Sequence, residues 1–81
     1  MIPPADTRAD ILKVIAFHAG CAPDQLSDDD TLRDDLGIRN IELLDLSMDI
    51  EDAAQRIVPC NEMHAWETVA DVVRWVEGRV A

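Results

Sequence analysis

Basic residues are scarce in this chain. Of its 81 residues, 7 are lysine or arginine against 17 aspartate or glutamate, and the formal net charge is −10. A surface of that sign repels polyanions, so nucleic acid and anionic membrane are excluded as expected partners. Basic protein surfaces are favoured, because the acids cluster; the plainer alternative is that the charge serves only solubility. Cysteine is scarce too. Cys21 and Cys60 are too few for a disulfide framework, so a reduced, cytoplasmic protein is expected. No apolar run approaches the roughly 18 residues of a transmembrane helix. The opening MIPPADTRAD lacks a basic segment followed by an apolar one, so no signal peptide is expected.

Internal repeats and low-complexity linkers are also missing, and the length suits one domain over residues 1–81. Nothing demands more than a monomer. A hydrophobic content of 48% supports a modest core. No Ser-His-Asp or Cys-His arrangement has a supporting motif, and no two carboxylates stand out as acid and base, so an enzyme is not expected. His18, Cys21, Cys60 and His64 have H-x2-C and C-x3-H spacings that suggest zinc. The intervening lengths match no finger, so no metal is expected.

What is present is helical periodicity. Ile11, Leu12 and Ile15 share one face of a helix over 8–19, with Asp6 or Thr7 as its cap and Gly20 as its stop. Residues 21–39 read as a long loop, a length that usually has a job. Leu26, Leu32 and Leu36 are spaced to pin that loop to the core, and Gly37 suits a turn with positive φ. Asn40 is a good N-cap for an amphipathic helix over 40–56. Its expected buried positions are Leu43, Leu46, Met48, Ile50, Ala53 and Ala54; Glu42, Asp45, Asp49 and Asp52 line another face. Pro59 ends that segment, and CNEMHA fits a short helical turn. Thr68 caps a last helix carrying Val69, Val72, Val73, Val76 and Val80. The expectation is all-α: a small bundle of three main helices and one short one, with a long first loop.

The stretch DQLSDDDTLRDDLGIRNIELLDLSMDIED resembles the acyl carrier proteins. Asp35-Leu36-Gly37 matches the family's D-L-G before its second helix. Ile41, Leu43-Leu44, Asp45-Leu46, Met48 and Ile50-Glu51-Asp52 fall on its pattern. Downstream, Val58-Pro59, Glu67-Thr68-Val69, Ala70, Val73 and Trp75 continue it, so the likeness covers residues 8–80. The resemblance implies a four-helix carrier module of fatty-acid, polyketide or related lipid biosynthesis. It also implies a 4′-phosphopantetheine arm on a serine that opens the second helix.

Here the family's Asp-Ser is Arg39-Asn40. An amide nitrogen with a delocalised lone pair cannot replace the hydroxyl, so no arm is expected at Asn40. Such a chain is a natural carrier that has lost its arm, an engineered unmodifiable one, or one using another hydroxyl. Two adjacent changes favour natural divergence. Ser47 lies two turns into the helix and reads as an ordinary helix residue.

In the family, the second helix docks on basic patches of partner enzymes. The resemblance therefore implies contacts with acyl-processing enzymes or a phosphopantetheinyl transferase through Arg39, Ile41, Glu42, Asp45, Asp49, Glu51 and Asp52. Electrostatic docking of that kind is weak, fast and salt-sensitive. An acyl chain in a modified form would be lined by Leu46, Met48, Ile57, Met63, Val72 and Trp75; without an arm a tightly packed core is expected instead. The alternative function is a docking or regulatory domain that never carries a group.

Overall fold

The structure is a computed structural model and describes residues 7–78. The expected cap by Asp6 and the Val80 position lie outside the described residues, as does the side chain of Thr7. Among the described residues, four α-helices follow one another: α1 (Thr7–Ala19), α2 (Asn40–Ala54), α3 (Cys60–Met63) and α4 (Val69–Gly78). The fold is a small all-α bundle. α1 packs against both α2 and α4, and α3 packs against α2.

Each helix buries one stripe. α1 contributes Ile11, Ile15 and Ala16; α2 contributes Leu46, Ser47 and Ile50; α4 contributes Val69, Val72, Val73 and Val76. The α4 set recurs at three, four and seven residues, so its β-branched side chains line one face despite their modest helix propensity. α3 adds Met63, and Trp66 seals that end, meeting Trp75 edge-on at 5.8 Å between ring centroids. The Arg56 guanidinium covers Trp75 at 4.7 Å and donates to the Val76 carbonyl at 3.2 Å.

The long connection is built rather than loose. A 3₁₀ turn spans Pro23–Gln25. Leu32 is buried and Leu26 and Leu36 are half-buried against the core, as their spacing suggests; Ile38 is buried as well. A single antiparallel bridge joins Thr31 to Thr68, with the Leu32 amide donating to the Glu67 carbonyl at 2.9 Å and the Val69 amide to Asp30 at 3.0 Å. This bridge ties the loop to the start of α4. Gly37 takes φ +70°, which positions Ile38 and the entry to α2.

α4 is capped as expected, and reciprocally. The Asp71 amide donates to Thr68 Oγ1 at 3.3 Å, and the Thr68 amide donates to Asp71 Oδ2 at 3.1 Å. α2 differs from its sequence reading at both ends. Its cap position is Arg39, and Asn40 is the first helical residue with φ +33°. Asparagine tolerates that left-handed region better than most residues, so it opens the helix by backbone conformation rather than by a side-chain cap. At the other end the helix stops at Ala54, short of 56, because Gln55 turns left-handed at φ +61°.

Candidate functional site

The α2 face that points away from the core carries the candidate site. Ile41, Leu44 and Met48 recur at three and seven residues and are 74%, 51% and 56% exposed. Asp45 and Asp52 share their side of the helix, since both are exposed and fall on the same period. Ile57, just beyond the helix, is 76% exposed. The result is an apolar stripe set among carboxylates. Its core-facing counterpart is Leu46, Ser47 and Ile50 on the opposite side.

Met48 and Ala53 are therefore not buried, contrary to the sequence reading. The helical period places Met48 one full turn beyond Leu44, on the outer side, where it is largely exposed. Ile57 likewise does not face the interior. Of the expected pocket residues, Leu46, Met63 and Val72 are buried in the common core and Trp75 is half-buried at its edge. Leu44 and Met48 are the members of the exposed stripe that the sequence reading did not place there, and Ile57, beyond the helix, is exposed as well. The period that Leu44 and Met48 share with Ile41 is visible in the sequence, but an apolar residue is assigned to the interior by default.

The acids divide into two groups. Glu42 accepts the Arg39 amide at 3.3 Å and so closes the first turn of α2. Asp49 meets His18 of α1 at 2.6 Å. Glu51 is half-buried and accepts the Val58 amide at 2.8 Å, which fixes the chain as it leaves the helix. These three hold the fold together. Asp45 and Asp52 are exposed and, among the described residues, have no ion-pair partner. Arg39 is exposed at the mouth of the helix.

Beside that mouth lies a cleft of about 330 Å³. Arg33, Arg39, Asn40, Leu43, His64 and Trp66 contribute to its wall. The hydroxyl on its lining, that of Thr31, accepts the Asp35 amide at 3.0 Å. Ser47 is buried, and its hydroxyl donates to the Leu44 carbonyl at 2.7 Å. Neither hydroxyl stands free at the helix entrance. His18, Cys21, Cys60 and His64 do not converge, and among the described residues no three histidine, cysteine or acidic side chains gather as a metal site. No described helix is long and apolar enough to cross a membrane.

Comparison with known proteins agrees with this architecture. No family model matches the chain. Over 71 residues it is 31% identical to an acyl carrier protein of Exiguobacterium sibiricum, covering 88% of this chain and 90% of that one. It is 27% identical over 73 residues to the acyl carrier protein of Zymomonas mobilis, covering 90% and 94%. A third acyl carrier protein, from a Sulfurovum species, is 25% identical over 68 residues, covering 84% and 91%. These relatives are carrier proteins that match nearly end to end, and with the helical bundle and its long built connection they show that the chain belongs to the acyl carrier protein family.

Proposed function

We propose that this chain is an acyl-carrier-type docking module, a non-enzyme of acyl metabolism, that bears no phosphopantetheine at the position where the family attaches it. The observation that carries the docking half is the exposed stripe of Ile41, Leu44 and Met48 set beside Asp45 and Asp52. Apolar side chains aligned at helical spacing and left in water mark an interaction surface. The neighbouring carboxylates select a partner with basic residues around an apolar contact. Glu42, Asp49 and Glu51 act mainly by shaping and bracing that surface.

The unmodified half rests on Asn40. Phosphopantetheine needs a nucleophilic hydroxyl, and an asparagine amide does not supply one. Arg39 adds a cation where the family has an acid, so a transferase meets reversed local charge. The residues at the α2 entrance therefore do not fit covalent attachment. Two forms of the module remain, a carrier stripped of its arm and a docking or regulatory domain that never used one.

The test is intact mass spectrometry after incubation with coenzyme A and a broad-specificity phosphopantetheinyl transferase. The native chain is expected to stay unmodified and Asn40→Ser to gain one phosphopantetheine. In the Asn40→Ser background, Asp45→Lys should slow the gain by lowering electrostatic association. Modification of the native chain would refute the assignment of Asn40. Failure of Asn40→Ser to react would favour the docking-only form.

A further inference from the structure

The apolar stripe of α2 has a neighbour on α1. Phe17 is 80% exposed, more than any other large apolar side chain among the described residues. Its ring meets the ring of His18 edge-on, at 5.6 Å between centroids. His18 Nε2 in turn lies 2.6 Å from Asp49 Oδ2 of α2. The imidazole is largely buried in that junction, while about half of the Asp49 side chain stays in water. This clasp sets α1 against the Asp49 edge of α2, with Phe17 beside it.

The order of side chains round α2 gives what lies between the two. From Ile41, a rotation of about 100° per residue reaches Asp52 at about 20°, Asp45 at about 40° and Asp49 at about 80°. Met48 and Leu44 fall on the other side of Ile41. Asp45 and Asp52 therefore lie between two apolar flanks. Ile41, Leu44 and Met48 form one, and Phe17, across the clasp, forms the other. Both carboxylates are exposed and, among the described residues, have no ion-pair partner. Seven residues apart, they are separated by about 10 Å along the helix axis.

We propose that α1 and α2 form one docking surface, and that its occupant is a cationic amphipathic helix of a partner protein. Two basic side chains of that helix meet Asp45 and Asp52, and apolar side chains lie to both sides of them. The assignment rests on α2 docking as proposed above and adds Phe17 of α1 to it. Charge complementarity selects the occupant. A second copy of the chain would set carboxylates against carboxylates, and an anionic lipid surface would meet a net charge of −10. A helix fits because its own residues seven apart share one face at the same rise as the two acids. Apolar contact on both flanks also shields the ion pairs from water, which strengthens pairs worth little in the open. A partner that spans both helices is thereby favoured over one that meets α2 alone.

The probe is a peptide of about 18 residues, long enough to be helical, with two lysines seven apart, leucines on both flanks of that row and alanine elsewhere. It is titrated into the ¹⁵N-labelled full chain beside the same peptide with glutamate for lysine. Saturable shifts are expected at the amides of Phe17, His18, Asp45, Met48 and Asp52 with the lysine peptide alone. Phe17→Ala and Met48→Ala, both at exposed positions, should each weaken binding by roughly three- to tenfold, with urea midpoints showing that both variants fold. Weakening by Met48→Ala but not by Phe17→Ala would overturn the α1 half and leave α2 docking standing. Unchanged affinity in both variants, or equal binding of the glutamate peptide, would overturn both readings. A dimer of the free chain in sedimentation equilibrium that Phe17→Ala dissolves would make the occupant a second copy and overturn the cationic partner.

Discussion

Asp71→Ala should lower stability by an amount that depends on pH in a stated direction. Asp71 Oδ2 accepts the amides of Glu67 at 2.9 Å and Thr68 at 3.1 Å, and Oδ1 accepts from Arg74 at 2.7 Å. Alanine leaves both amides without this acceptor at the start of α4, next to the bridge that holds the long loop. Loss of a capping acceptor costs about 1 kcal/mol. The Arg74 pair adds only a few tenths, because that arginine is largely exposed. The better helix propensity of alanine offsets about 0.5 kcal/mol. The net is about 1 kcal/mol, or about 4–8 °C in Tm for a domain of this size.

The pH dependence follows from the carboxyl. Burial alone would push it up; the Glu67 and Thr68 amides and the Arg74 guanidinium outweigh that and hold it below its ordinary value of 3.8. A group whose pKa falls on folding stabilises the fold above its unfolded value and loses that contribution as pH drops through the folded one. Urea midpoints of wild type and Asp71→Ala should therefore differ fully at pH 7 and pH 5. The gap should narrow below about 3.8 and shrink most at the acid extreme. A gap unchanged between pH 7 and pH 2, or one that widens on acidification, would refute the reasoning.

Leu46→Ala should cost about 3 kcal/mol in urea denaturation, since Leu46 is fully buried where α2 meets the core and the neighbours cannot all collapse into the space. Met48→Glu should change that stability by less than about 0.5 kcal/mol, as expected for an exposed position, while slowing transferase modification of the Asn40→Ser chain. Equal rates with and without Met48→Glu would remove the α2 stripe from the docking surface. Gln55→Gly should raise stability by up to about 1 kcal/mol, because glycine adopts φ +61° without a Cβ penalty. A loss of stability there would mean that the Gln55 side chain matters more than its backbone.

Much of the bundle is legible before any coordinates. The 3–4 spacing of Val69, Val72, Val73 and Val76, the Thr68 cap and the turn at Gly37 are local properties, set by side-chain period, hydroxyl chemistry and backbone freedom. The spacing of Leu26, Leu32 and Leu36 likewise announces a loop that is anchored. Position around the helix axis is also local, but which sector meets a neighbour is not. That is why Met48 and Ile57, apolar and expected inside, stand in water, and why Asp49 and Glu51 engage His18 and the Val58 amide within the fold. The entry to α2 shows the same division. An asparagine at position 40 promises a helix start from sequence alone. Whether its side chain caps or its backbone turns left-handed depends on how the Gly37–Ile38 segment is seated on the core. The sequence by itself determined the helical periods, the Thr68 cap and the anchored loop, because each depends on a few neighbouring residues. Only the tertiary structure decided the exposed α2 face, the engaged acids and the cleft lined by Arg33, Arg39 and Trp66, because each depends on segments brought together from distant parts of the chain.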